Sequence, residues 1–266
     1  MSFPDGPIWL IGCGNMAGAM LRRWLSSGLD PRQVTVITRS GRAAPEGVRS
    51  LTALPTDETP AILMLGFKPQ QLDDIAPTLA HLRPALLLSI LAGVEEQALA
   101  SRIPADSVVR MMPNLPVAIG QGVTALYTSS TDPAVRAAAE ALATPLGIAP
   151  WVEDEARFDA VTALAGCGPA FVFRFIDALA QAGAALGLAP ELAQRLALAT
   201  VDGAGAMAMA ADASAATLAD RVASSGGSTR AGLNVLDADD ALLRLMADTL
   251  AASERRNREM AAAARG

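Results

Sequence analysis

"IWLIGCGNMAGAM", residues Ile8–Met20, decides how the rest of the chain is read. Four apolar residues run straight into Gly12-x-Gly14-x-x-Ala17, and a helical pattern follows at once. Gly12 permits a tight turn after a strand, Gly14 lets a pyrophosphate approach the main chain, and the small Ala17 lets helix and strand pack closely. The amides opening that helix then face the phosphates. An ordinary strand-to-helix turn could carry the same glycines, so the weight lies on their position between strand and helix. Gly12, Cys13, Gly14, Asn15 and Met16 are therefore candidate cofactor ligands.

Downstream, short apolar runs alternate with helical patterns, as in a parallel sheet with crossover helices. Strands are expected at 8–12, 34–38, 61–66, 85–91, 107–112 and 122–128, with helices at 16–27, 70–82 and 95–101. Asp132 and Pro133 open a further helix, one as cap and the other in the first turn. After "GIAPWV" (147–152) strand signals stop, and helices are expected at 155–163, 169–186, 190–211, 214–223, 229–236 and 239–264. The fold class is thus α/β. A Rossmann-type NADP-binding domain with a parallel sheet spans 1–152, and an all-helical dimerisation and substrate-binding domain spans 153–266.

Within the second domain, "LALATVDGAGAMAMAA" (196–211) is apolar on nearly every face, so it must be enclosed on all sides. About 115 residues cannot easily hide so much surface, which predicts an obligate homodimer; a self-contained bundle is the alternative.

The end of the second strand bears on the choice of dinucleotide. No acid lies between Asp30 and Glu46 to hold a ribose 2′-hydroxyl, and Thr38, Arg39, Ser40 and Arg42 stand there instead. Hydroxyls and guanidinium groups suit a 2′-phosphate, so NADP(H) is favoured over NAD(H), although surface arginines are often merely solvated. The loop Gly66, Phe67, Lys68 and Pro69 carries the chain's one lysine, which either meets the cofactor or faces solvent. Leu91, Ala92, Gly93 and Asn114 follow later strands and are expected near the nicotinamide.

Composition narrows the partners. A net charge of -6 supplies no basic surface for nucleic acid. The start of the chain lacks the pattern of a signal peptide, and no unbroken apolar run of about 20 residues points to a membrane. Cys13 and Cys167 match no metal-ligand spacing and fit a reducing, cytoplasmic setting, so no metal is expected. The single histidine, His81, falls at a helix end, and the helical half has neither His nor Lys. Oxidising an alcohol needs such a group to manage the proton. A protonated imine takes a hydride without one, needing chiefly to be bound, oriented and kept from water.

"IGCGNMAGAM", "FKPQ", "AGV", "MMPNLP", "TALAGCGPAFVF" and "VASSGGSTRAGLNVLD" together resemble, in order and over nearly the whole chain, the motifs of the pyrroline-5-carboxylate reductase family. The resemblance implies NADPH- or NADH-dependent reduction of 1-pyrroline-5-carboxylate to L-proline, the last step of proline synthesis, by dimers that can build decamers. A glycine-rich turn ahead of a helix gathers main-chain N–H groups for an anion. The resemblance assigns the substrate carboxylate to Ser224, Ser225, Gly226, Gly227 and Ser228, and the ring nitrogen to the Thr229 hydroxyl. A Ser/Thr-capped turn without ligand is the alternative for the segment alone. It also sets Glu155 or Asp212 near the substrate or the loop, where a helix-end charge is the alternative. The chain departs from the family at Ser225, usually proline, and at Leu115, Ala165, Cys167 and Phe171, where hydroxyl residues are usual. The competing functions are reduction of another cyclic imine and a noncatalytic NADP(H) sensor.

Overall fold

The structure, a computed structural model, describes residues 2–39, 41 and 44–265. Ser40 and Arg42, two of the expected 2′-phosphate contacts, lie outside the described residues. Contacts divide the chain into two compact units, Met1–Cys167 with Ser253–Gly266, and Gly168–Ala252.

The first unit is built on β1 (Ile8–Ile11), β2 (Val34–Ile37), β3 (Arg49–Leu51), β4 (Ile62–Leu65), β5 (Leu86–Ser89), β6 (Ser107–Pro113), β7 (Gly122–Tyr127) and β8 (Gly147–Ile148). They form one sheet in the order β3-β2-β1-β4-β5-β6-β7-β8. Residues of β1, β2, β4 and β5 are buried throughout, because helices cover both faces. Alternate side chains go to opposite layers. Ile8 and Leu10 join a core with Met20, Leu21 and Trp24 of α1 (Asn15–Ser26) and Leu142 of α4 (Pro133–Ala143). Trp9 and Ile11 join the other, with Leu72, Ala76 and Leu79 of α2 (Leu72–Leu79) and Leu99 of α3 (Glu96–Ala100). Asp132 caps α4 as expected, its Oδ1 accepting from the Ala134 amide at 2.8 Å.

Two features differ from the sequence expectation. β7 runs antiparallel to β6, since the short connection 114–121 cannot hold a crossover helix. β3 lacks the apolar run by which strands are recognised; it is a three-residue edge strand with two exposed positions.

Between α5 (Phe158–Val161) and the second unit, 162–166 widens into one π turn, with the Cys167 amide bonded to the Thr162 carbonyl at 2.9 Å. Such turns often mark functional positions.

The second unit holds α6 (Gly168–Ala185), α7 (Pro190–Ala210), α8 (Ala215–Arg221), α9 (Ser228–Asp237) and the start of α10 (Ala241–Arg265). Gly187, at φ +100°, turns the chain between α6 and α7, which pack along each other. Of α7 only Ala193 and Ala197 are buried, while Leu196, Leu198, Met207 and Met209 are exposed. One chain therefore does not enclose this helix, contrary to what a self-contained bundle requires. A surface this apolar marks a site of association.

Candidate active site

A cleft of about 910 Å³ opens at the carboxyl ends of the central strands, the place where doubly wound sheets hold ligands. Its centre is the turn from β1 into α1. Gly12 sits at φ +83°, and a Cβ there would stand 3.0 Å from the Gly66 carbonyl oxygen and the Phe67 nitrogen. One on Gly66 would stand 2.8 Å from the Cβ of Ala17, so the absence of a side chain at Gly66 lets helix α1 lie this close. Gly14 differs. A Cβ there would meet no protein atom within 4 Å, and Gly14 lines the open cleft as the uncapped N-terminal residue of α1. The first amides of α1 have no acceptor within the helix, which leaves them for an anion.

The expected cofactor residues divide. Gly12, Cys13, Gly14, Asn15, Met16, Thr38, Arg39, Gly66, Phe67 and Lys68 line the cleft. The Thr38 Oγ1 is buried without a hydrogen-bond partner among the described residues, so a ligand hydroxyl or phosphate oxygen there would satisfy it. Pro69 opens the turn leading to α2 and is not in the lining. Nor are Leu91, Ala92, Gly93 and Asn114. Leu91 is buried in the core, and a Cβ on Gly93 would stand 3.2 Å from Ala261.

Asn114, expected to orient the nicotinamide, instead ties main chain together. Its Oδ1 accepts from the Val123 amide at 2.8 Å and its Nδ2 donates to the Ala165 carbonyl, on the π turn, at 3.0 Å. At this end Ile90, Met112 and Pro113 line the cleft.

Sequence reasoning missed one whole wall. Thr52, Ala53 and Leu54 follow the unrecognised β3, Gln71 immediately precedes α2, and Asp74, Ile75 and Thr78 come from it. Their spacing, 71, 74, 75 and 78, is the signal that could have found them, because it sets all four on one helical face.

Glu155 is likewise engaged. Its Oε1 accepts from Arg110 and from the Glu96 amide, both at 2.7 Å, and the Arg110 guanidinium lies 4.3 Å over the Phe158 ring. Arg110 is only 4% exposed, so removing its partner strands a buried charge. Glu155→Ala is expected to lower stability by about 3 kcal/mol in urea unfolding. A raised KM with unchanged stability would return Glu155 to the substrate.

In the second unit, the segment 222–229 forms a turn closed by the Gly227 amide on the Ser224 carbonyl at 3.0 Å, with Gly226 at φ +70°. Ser224, Ser225, Gly226, Ser228 and Thr229 are exposed. Gly227 is the N-terminal flanking residue of α9, and no side chain caps this helix. α8 contrasts with it, since Ser214 caps that helix by accepting from the Thr217 amide at 3.1 Å. Arg230 holds Asp220 at 2.6 Å, linking α9 to α8. Asp212 lies between α7 and α8.

A doubly wound sheet whose glycine turn opens on a cleft with unanswered donors defines a dinucleotide-dependent oxidoreductase. Comparison with known proteins narrows the class. Residues 7–93 match the family described as NADP oxidoreductase, coenzyme F420-dependent, and 155–260 match that described as pyrroline-5-carboxylate reductase dimerisation. The pyrroline-5-carboxylate reductase of Pseudomonas aeruginosa is 34% identical, the alignment covering 96% of both chains. The structure of a pyrroline-5-carboxylate reductase from Coxiella burnetii superposes with a TM-score of 0.82 at 28% identity, over 96% of this chain and 98% of that one. The Plasmodium falciparum pyrroline carboxylate reductase, solved with NADP bound, shares the fold with a TM-score of 0.83 at 23% identity, over 98% and 100% of the two chains. The chain belongs to the pyrroline-5-carboxylate reductase family. NADP(H) is its cofactor, and the second unit lies within a segment of self-association. By length and composition the helical stretch Glu155–Ala185 could also cross a bilayer, but it falls wholly inside the matched dimerisation segment, which accounts for its apolar surface.

Proposed function

We propose that the protein reduces 1-pyrroline-5-carboxylate to L-proline with NADP(H), as a cytoplasmic homodimer able to build larger assemblies. The observation that carries the substrate is the uncapped start of α9. Serines and a threonine surround that turn, yet none closes the helix, so its first amides stay available to a carboxylate. The positive end of the helix dipole favours the same group.

Bound NADPH supplies the hydride that adds to the C=N carbon. The chain's residues do the rest. The turn at 224–228 holds the carboxylate, and the Thr229 hydroxyl accepts from the protonated ring nitrogen, fixing the face presented for transfer. The proton is already on that nitrogen and the C=N electron pair returns to it, so no general acid is required. His81 accords with this, being exposed and outside the cleft lining.

Following NADPH absorbance with 1-pyrroline-5-carboxylate tests the reading. Equal turnover of unsubstituted 1-pyrroline would replace it with a reductase of another cyclic imine. Cofactor binding without turnover of either would leave a sensor protein. Thr229→Ala is expected to lower kcat by about ten- to a hundredfold, the loss of one well-placed hydrogen bond, with NADP+ affinity unchanged. Unaltered kinetics would remove the hydroxyl from the reaction.

A further inference from the structure

The α2 wall of the cleft carries one charged group, Asp74, exposed in the first turn of α2 where the helix dipole favours a carboxylate, that no side chain answers. Gln71, just ahead of α2, and Ile75 and Thr78 of the helix line the cleft with it, and each of these three is explained locally. The Gln71 Oε1 accepts from the Lys68 amide at 3.3 Å, the Thr78 hydroxyl donates to the Ile75 carbonyl at 2.6 Å, and Ile75 packs on the core beneath. Asp74 has no hydrogen bond or ion pair among the described residues. Its neighbour Asp73 is the one paired, with Arg102 at 2.8 Å outside the cleft. A lone carboxylate in a site built for a polyphosphate weakens binding by like-charge repulsion unless it meets a donor.

The topology identifies that donor. The pyrophosphate belongs over the Gly12–Gly14 turn, the adenosine ribose at the end of β2, and the nicotinamide toward Ile90 and Met112. The remaining lining includes, with Asp74, Leu54 and Ile75, two half-buried apolar side chains on the same core cluster, a surface suited to a flat base. An ionised carboxylate only accepts, and the adenine base offers the 6-amino group as its donor. We propose that Asp74 accepts a hydrogen bond from the adenine 6-amino group and so selects an adenine dinucleotide. This rests on NADP(H) occupying the cleft.

The test is calorimetric titration of the full-length protein with NADP+ and with its hypoxanthine analogue, in which an oxygen acceptor replaces the 6-amino donor. Wild type is expected to bind NADP+ about tenfold more tightly, the worth of one hydrogen bond to a charged group. Asp74→Ala is expected to bind the two alike. Asp74→Asn, whose amide both accepts and donates, is expected to narrow the gap as well. Equal binding by wild type, or a tenfold gap that survives in Asp74→Ala, would overturn the proposal alone. So would a variant that changes the NADP+ to NAD+ ratio while keeping the base preference, since the carboxylate would then serve the ribose. Absence of binding by both dinucleotides would overturn the cofactor reading along with it.

Discussion

Gly14→Val is expected to weaken NADP+ binding by about a hundredfold or more while leaving the melting temperature unchanged. The backbone at Gly14, φ -73° and ψ -164°, is open to any residue, and a Cβ there meets no protein atom within 4 Å. The fold therefore tolerates the side chain. What it occupies is the space through which a pyrophosphate reaches the first amides of α1. Losing two or so charge-assisted hydrogen bonds costs about 3 kcal/mol, which is about a hundredfold. Gly12→Val serves as contrast. Its φ of +83° and the backbone atoms 3.0 Å away make valine strained there, so affinity and melting temperature should fall together. Fluorescence titration and thermal melts on the two variants separate the effects, and full affinity in Gly14→Val would remove the phosphates from this turn.

Arginine at Gly203 or at Gly205 of α7 is expected to weaken self-association by about a thousandfold, roughly 4 kcal/mol, and to abolish turnover with it. Within one chain a Cβ at either glycine meets nothing within 4 Å, and arginine is the better helix former, so the folded monomer loses nothing. Only an approaching second copy is obstructed. The two positions point about 200° apart around the helix axis, so loss of association in both variants requires a helix enclosed on opposite sides. Sedimentation equilibrium with circular dichroism measures this. A dimer that persists in both variants would put α7 outside the interface.

What the sequence made legible follows its local chemistry. The β1 turn could be read because strand, glycines and helix adjoin. Gly187 and Asp132 mark helix boundaries by conformations and caps that act within a few residues. The turn at Gly226 is visible for the same reason. The structural partners of Asn114 and Glu155 were not legible because they are distant in sequence: Ala165 for one, Arg110 and Glu96 for the other. A polar residue after a strand reads as a ligand whether it faces a cofactor or a carbonyl. The π turn at 162–166 has no sequence signature, and β3 was too short and exposed to show a period.

Lys68 lines the cleft, is exposed, and has no other lysine to compete with it. Amine-directed chemistry on this protein is accordingly site-selective without engineering. Apart from the α-amino terminus, an acylating or reductively alkylating reagent finds a single target, and a label placed there rests at the mouth of the cofactor's own compartment.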